Sequence, residues 1–188
     1  MNRRHALRAM GCLMLQATGA HAGNTIALDA LRSGGALLLR HALTEQGTGD
    51  PPGFRIADCS TQRNLSAAGR AQARAAGEAL RARDVTIDAV FSSAWCRCID
   101  TATLMFPGLK VDVLPALNSF FGSPGDRERQ TAALRQWIAA LDDGRRVALV
   151  THQVNVLALT GDGLAMGEAI VVQADSRGDV RATGRLLL

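Results

Sequence analysis

The sequence predicts an α/β protein, a three-layer sandwich with a mostly parallel central sheet flanked by helices. Two observations carry this. The runs at 36–39 (ALLL) and 147–150 (VALV) are unbroken rather than alternating, the pattern of strands buried on both faces. Around them, strand-like runs alternate with helix-like stretches, the order that builds βαβ units. With 188 residues, 47% of them hydrophobic, the chain suffices for one globular domain with a sizeable core.

Gly34 and Gly35 introduce the first strand at 36–39, and residues 43–64, rich in Gly, Pro, Thr and Asp, form a long loop. Ser66 offers an N-cap to a helix over 67–83, with apolar positions at Ala68, Ala71, Ala75, Ala79 and Leu80. A strand at 87–91, a helix at 95–105 and a strand at 110–114 follow. Residues 118–126 are a Gly/Ser/Pro loop, and 127–141 a helix whose apolar face carries Leu134, Trp137, Ile138 and Leu141. The strand at 147–150 runs into a short helix at 153–159, and 168–174 with 180–187 close the fold as a pair of strands.

Residues 1–22 have a different character: Arg3, Arg4 and Arg8, then an apolar stretch near Met10, then Ala20-His21-Ala22. A basic start, a short apolar centre and an A-x-A ending describe a secretory signal peptide cut after Ala22, with the domain occupying 23–188. The apolar stretch is too short to span a bilayer of about 30 Å, so no membrane span is expected. The expected location is periplasmic or secreted, by the general or the twin-arginine route.

That cut changes the charge balance. The whole chain has 21 basic and 17 acidic residues; without the three leader arginines it has 18 against 17, a net +1. Tyr is absent, and no basic cluster is interleaved with aromatics, so a nucleic-acid partner is not expected. The oligomeric state is left open. Cys59, Cys96 and Cys98 remain, an odd number. In an oxidising compartment Cys59–Cys96 is the preferred bridge, with three small buried thiols as the alternative. Cys-x-Cys with one distant Cys lacks the usual zinc spacing.

Only two histidines remain after the cut, His41 and His152, and each directly follows a buried strand. Open α/β sheets place their sites beyond the carboxyl ends of strands, so the two can face one crevice. Arg40 precedes His41, and Arg97 sits at the head of a helix after the strand ending VFSS. Guanidinium forks match phosphate oxygens and stay charged at any working pH. Two histidines with two arginines at strand ends describe a phosphate pocket containing a nucleophile. A metal would need a third ligand, and adjacent arginines oppose a dication, so no metal is expected.

These residues fall into ordered motifs: Leu38-Leu39-Arg40-His41-Ala42 with Thr44 beyond; Leu65, Ser66, Gly69, Gln72 and Ala73; Ser92, Ser93, Arg97, Cys98, Thr101 and Ala102; and Val150-Thr151-His152. Together they resemble the histidine phosphatase superfamily, phosphoglycerate mutase-like, across about residues 36–157. The resemblance implies a phosphoric monoester hydrolase in which His41 becomes a phosphohistidine while Arg40, Arg97 and His152 hold the phosphoryl oxygens. Thr44 and Arg63 join them as substrate-binding candidates, and the resemblance implies a small phosphorylated substrate as partner and no cofactor.

Two positions depart from the family's pattern. Ala42 replaces the glycine that usually follows the nucleophile. The segment after the third strand, Leu117-Asn118-Ser119, lacks the family's usual glutamate, and Gln153 rather than Asp follows His152. Asp126 is therefore the candidate proton donor, with Glu128 and Glu45 behind it; Asp126 is also a natural helix N-cap. A weak or absent acid favours labile phosphoryl compounds such as phosphohistidine. The competing functions are an exported phosphatase for small esters or phosphorylated envelope components, and a catalytically weak phosphate-binding module.

Overall fold

The structure, a computed structural model, describes residues 14–188, with side chains from residue 23 onward. Residues 1–13 of the expected leader lie outside the described residues. Helix α1 (Met14–Arg32) crosses the expected cut after Ala22, and its second half packs on the sheet through the fully buried Ala27 and Leu31. No element was expected over 23–33, because these positions carry no clear apolar stripe in sequence.

The remaining elements are β1 (Gly35–Arg40), α2 (Ala67–Arg81), β2 (Ala89–Ser92), α3 (Cys96–Met105), β3 (Val111–Val113), α4 (Arg127–Ala139), β4 (Arg146–Thr151), α5 (Gln153–Thr160), β5 (Ala169–Ala174) and β6 (Val180–Leu186). They form one six-stranded sheet in the order β3-β2-β4-β1-β5-β6. The first four strands in that order run parallel, and β5 and β6 add an antiparallel edge. The expected three-layer α/β architecture is the one observed.

Strand alternation divides the core. Leu37, Leu39, Ala148 and Val150 face α1, α2 and α3, meeting Leu31, Leu80 and Met105. Ala36, Leu38, Val147 and Leu149 face α4 and α5, meeting Leu134, Ile138, Val156 and Leu159. Each leucine so buried contributes roughly 2 kcal/mol of transfer free energy. Both faces of β1 and β4 are covered, which is why their runs are unbroken.

Helix α2 corrects one expectation. Ser66 caps it as expected, its Oγ accepting the Gly69 amide at 3.1 Å. Its buried stripe, however, is Gly69, Ala73, Ala76, Gly77 and Leu80, while Ala68, Ala71 and Ala75 are exposed. Alanines on every side hide the stripe in the sequence, and backbone approach selects it. A Cβ at Gly69 would stand 1.8 Å from the Leu43 carbonyl oxygen, and one at Gly77 would stand 2.1 Å from that of Met105. The glycines let α2 lie directly against the chain leaving β1 and against the end of α3.

Candidate active site

The register of the central strands places the site. β1 and β4 pair in parallel with Arg40 beside Thr151, so the next residues, His41 and His152, emerge side by side at the carboxyl edge. Their ring centroids are 5.5 Å apart at 67°. β2 pairs on the other side of β4, and the Ser93 amide donates to the Val150 carbonyl at 2.9 Å, which brings Ser93 and the head of α3 to the same edge. The result is a cleft of about 660 Å³ lined by Arg40, His41, Asp50, Arg63, Arg97 and His152, with Phe54, Trp95, Ser119 and Phe121 along its walls.

His41 is 3% exposed, and its Nδ1 lies 2.9 Å from its neighbour's carbonyl, that of Ala42. A carbonyl only accepts, so Nδ1 carries the proton and Nε2 keeps its lone pair. Burial, reinforced by the charges of Arg97, Arg40 and Arg63, pushes the His41 pKa down to about 3. The ring is therefore neutral, as a nitrogen nucleophile must be.

His152 is held from both sides. Arg97 Nη2 lies 3.5 Å from its Nδ1, and a guanidinium only donates, so the proton sits on Nε2. Nε2 donates to Ser93 Oγ at 2.8 Å, and that hydroxyl donates to Asn118 Oδ1 at 3.3 Å. Burial and then Arg97 push its pKa well below the ordinary histidine value.

Three arginines converge here. Arg40 Nη1 donates to the Leu164 carbonyl at 2.7 Å, and Arg63 Nη1 donates to Thr44 Oγ1 at 2.7 Å and to the Gly47 carbonyl at 2.8 Å. Arg97 Nη1 donates to Asp50 Oδ1 at 2.7 Å in an ion pair whose side chains are 5% and 6% exposed. In each arginine the buried Nε finds no partner among the described residues. Three guanidinium groups lining one cleft give it the charge and the forked N–H geometry to receive an anion with several oxygens. Burial, with like-charged neighbours, pulls the Arg40 and Arg63 pKa values below their ordinary value. Among the described residues no cluster of three His, Cys, Asp or Glu suits a metal ion.

Of the residues singled out from sequence, Arg40, His41, Arg63, Arg97 and His152 line the cleft. Thr44 stands behind it, bracing Arg63 and directing its hydroxyl to Met166 Sδ at 3.6 Å. Asp126 is not in the cleft wall: its carboxylate pairs with Arg129 at 2.6 Å, near the surface. It occupies the N-cap position of α4 without a capping side-chain bond. Glu45 and Glu128 are exposed and likewise outside the wall. No carboxylate comes from the segment after β3, which contributes Ser119.

Sequence reasoning missed Asp50. It sits in the aperiodic Gly-Asp-Pro-Pro stretch of the long loop, where an acid reads as a turn residue. Folded, it accepts from Arg97, from Trp95 Nε1 at 2.9 Å and from the Arg63 amide at 2.9 Å. Burial raises its pKa, but hydrogen bonds from Arg97 and the Arg63 amide outweigh burial and hold it below the ordinary carboxylate value. The aromatic wall was also missed. Phe54 stacks at a tilt on Trp95, centroids 6.0 Å apart, and Phe121 is 60% exposed. Exposed aromatics in Gly/Pro loops were the available signal.

Cys59 and Cys96 form a disulfide, the preferred pairing, tying the long loop to the residue before Arg97. Cys98 is a free, fully buried thiol that burial pushes up to about 12. The motif residues bind the frame together: Gln72 Oε1 accepts the Leu43 amide at 3.0 Å and its Nε2 donates to the Met166 carbonyl at 2.9 Å. Thr101 Oγ1 accepts the Ala42 amide at 3.0 Å.

Residues 36–124 match the family profile of the histidine phosphatase superfamily (branch 1). No curated protein matches the chain in sequence. Among solved structures, the putative phosphohistidine phosphatase SixA from Agrobacterium tumefaciens is 22% identical, covering 81% of this chain and 97% of its own with a TM-score of 0.53. The mycobacterial glucosyl-3-phosphoglycerate phosphatase Rv2419c is 20% identical, covering 79% and 96% with a TM-score of 0.56. Bacillus stearothermophilus YhfR is 16% identical, covering 79% and 95% with a TM-score of 0.60. At these identities the likeness is one of fold.

Proposed function

We propose, for this chain of the histidine phosphatase superfamily, that it is an exported phosphatase passing a phosphoryl group to Nε2 of His41 and then to water. One observation carries the reading. A neutral imidazole with a bare Nε2 stands in a cleft lined by three arginines. Phosphoryl oxygens match the charge and forked geometry of those guanidinium groups, and the preorganised charge stabilises the transferring group.

In the first step Nε2 attacks phosphorus, the bond to the leaving atom breaks, and the leaving atom keeps the electron pair. In the second, water attacks phosphorus and the N–P bond breaks, returning the pair to His41. The Ala42 carbonyl accepts the Nδ1 proton throughout, stabilising the positive charge that develops on the ring. His152 completes the pocket beside Arg97.

The substrate class follows from the leaving-group side. The segment after β3 offers Ser119 where the family usually places an acid, so leaving groups that need little protonation are favoured. Phosphoramidates such as phosphohistidine, and aryl phosphates, are of that kind, and Phe54, Trp95 and Phe121 suit a flat ring. SixA is named a phosphohistidine phosphatase and Rv2419c a glucosyl-3-phosphoglycerate phosphatase, so phosphoramidates and small esters are both represented among proteins of this fold. A phosphorylated envelope component is the natural setting, since the leader-like residues 1–22 and the Cys59–Cys96 bond both support an oxidising, exported location.

Turnover of phosphohistidine and p-nitrophenyl phosphate against phosphoserine tests the reading. A kcat well above that on phosphoserine is expected for the first two. Equal kcat on phosphoserine contradicts the leaving-group preference. Tight orthophosphate binding with no turnover of any of the three identifies a binding module instead.

A further inference from the structure

We propose that Asp50 is the general base that activates water against the phosphohistidine formed on His41, an assignment that rests on the phosphatase reading. Asp50 is the only carboxylate among the described residues that line the cleft. Asp126, Glu45 and Glu128 are outside its wall. Whatever accepts the proton of the attacking water must be a group in this cleft, and both histidines are committed: His41 is the phosphorylated residue, and Nδ1 of His152 accepts from Arg97.

The geometry leaves one place on Asp50 for water. A carboxylate has about four lone-pair sites. Among the described residues Oδ1 accepts Arg97 Nη1 at 2.7 Å and the Arg63 amide at 2.9 Å, and Oδ2 accepts only Trp95 Nε1 at 2.9 Å. One site on Oδ2 is therefore open, with the carboxylate in the cleft wall beside the arginine that holds the phosphoryl oxygens. Three fixed donors lock the rotamer, so the open site has a defined direction.

Charge supports the same role. Free Asp50 is ionised, as a base must be, and its pair with Arg97 keeps it so. A phosphoryl group on His41 draws on the same guanidinium and adds negative charge next to Asp50, which raises the basicity of the carboxylate when the water is to be split. The step balances. The water oxygen bonds to phosphorus, the N–P bond breaks with its electron pair returning to His41 Nε2, and the water proton goes to Asp50 Oδ2. Release of orthophosphate lets Asp50 return the proton to solvent.

The test is rapid-quench kinetics with p-nitrophenyl phosphate on the full chain and on the isosteric D50N. D50N is expected to form acid-labile phosphoenzyme at a rate within about threefold of the unaltered protein, while its hydrolysis slows by about 10²–10⁴, the range for loss of a general base. Phosphoenzyme then accumulates toward one per site, and Asp50→Glu recovers part of the rate. Should phosphorylation slow together with hydrolysis, Asp50 only orients Arg97, and the proposal fails. An unchanged kcat in D50N also overturns it. A check that needs no variant is the decay of phosphoenzyme in D₂O: the unaltered protein must decay more slowly than in H₂O, and equal rates contradict proton transfer to a base. Failure of the phosphatase reading looks different, since the unaltered chain would then form no phosphoenzyme and turn over no substrate.

Discussion

His41 and His152 stand 5.5 Å apart because β1 and β4 are parallel neighbours aligned Arg40 to Thr151, one residue before each histidine. The pair is a consequence of sheet register, and a one-residue slip would turn both side chains to opposite faces. Every other part of the pocket is built onto that alignment.

Burial of a neutral His41 links stability to pH. The unfolded side chain protonates near 6.5 while the folded one resists down to about 3, so the unfolded state binds the extra proton between those values. Stability from this group is complete above pH 6.5 and is lost as pH falls toward 3, at up to about 1.4 kcal/mol per pH unit. Between pH 6.5 and 5.5 the expected loss is about 1 kcal/mol. Urea unfolding should show His41→Gln losing correspondingly less over the same step; identical pH slopes would refute the neutral, buried assignment.

The Arg97–Asp50 pair is buried on both sides, so removing one partner strands the other. Arg97→Ala is expected to cost about 3–5 kcal/mol of stability, and Asp50→Ala a similar amount. D50N keeps the shape and an acceptor oxygen, so its cost should be well below that of Asp50→Ala. Chemical denaturation of the three variants checks the order.

Gly69 sets how closely α2 lies against the segment that follows His41. Its missing Cβ would stand 1.8 Å from the Leu43 carbonyl oxygen, so Gly69→Ala must push backbone apart. A loss of about 1–3 kcal/mol and a fall in kcat are expected, because Leu43 is two residues from the nucleophile. Gly125→Ala, where a Cβ meets nothing within 4 Å, should stay within about 0.5 kcal/mol in the same melting experiment.

The Cys59–Cys96 bond closes a stretch with a sequence separation of 37, for which chain entropy implies roughly 3–4 kcal/mol. Replacing both cysteines with alanine should lower stability by about that amount and loosen the loop that carries Asp50 and Arg63. Under native conditions a thiol reagent should find no reactive group within residues 23–188, since Cys98 is buried with its pKa pushed up to about 12. Rapid labelling of one thiol within residues 23–188 would show an exposed Cys98, and of two an open bridge.

Some features were legible in sequence because one local cause produces them. Strands β1 and β4 are covered on both faces, so they appear as unbroken apolar runs, and the histidines that follow them mark the carboxyl edge. Ser66 is a cap by its own chemistry. Asp50 had no such mark: its role comes from a loop folded back across α3 and pinned at Cys96, a long-range arrangement with no period. The buried stripe of α2 is hidden in sequence for a related reason, since alanine occurs on all its faces and the deciding contacts belong to Gly69 and Gly77. Asp126 is near the site in sequence, but local chain direction turns it to Arg129 and the surface. The half of α1 that covers the sheet through Ala27 and Leu31 has two apolar anchors a turn apart, too few to stand out.

The proposed reaction puts the phosphoryl group on His41. Acid-quench labelling with ³²P-labelled substrate, followed by site mapping of the labelled peptide, tests it most directly. Phosphate bound through an acid-labile, base-stable bond at His41, and absent in H41A, is the predicted result. Label on another residue, or undiminished label in H41A, would contradict it.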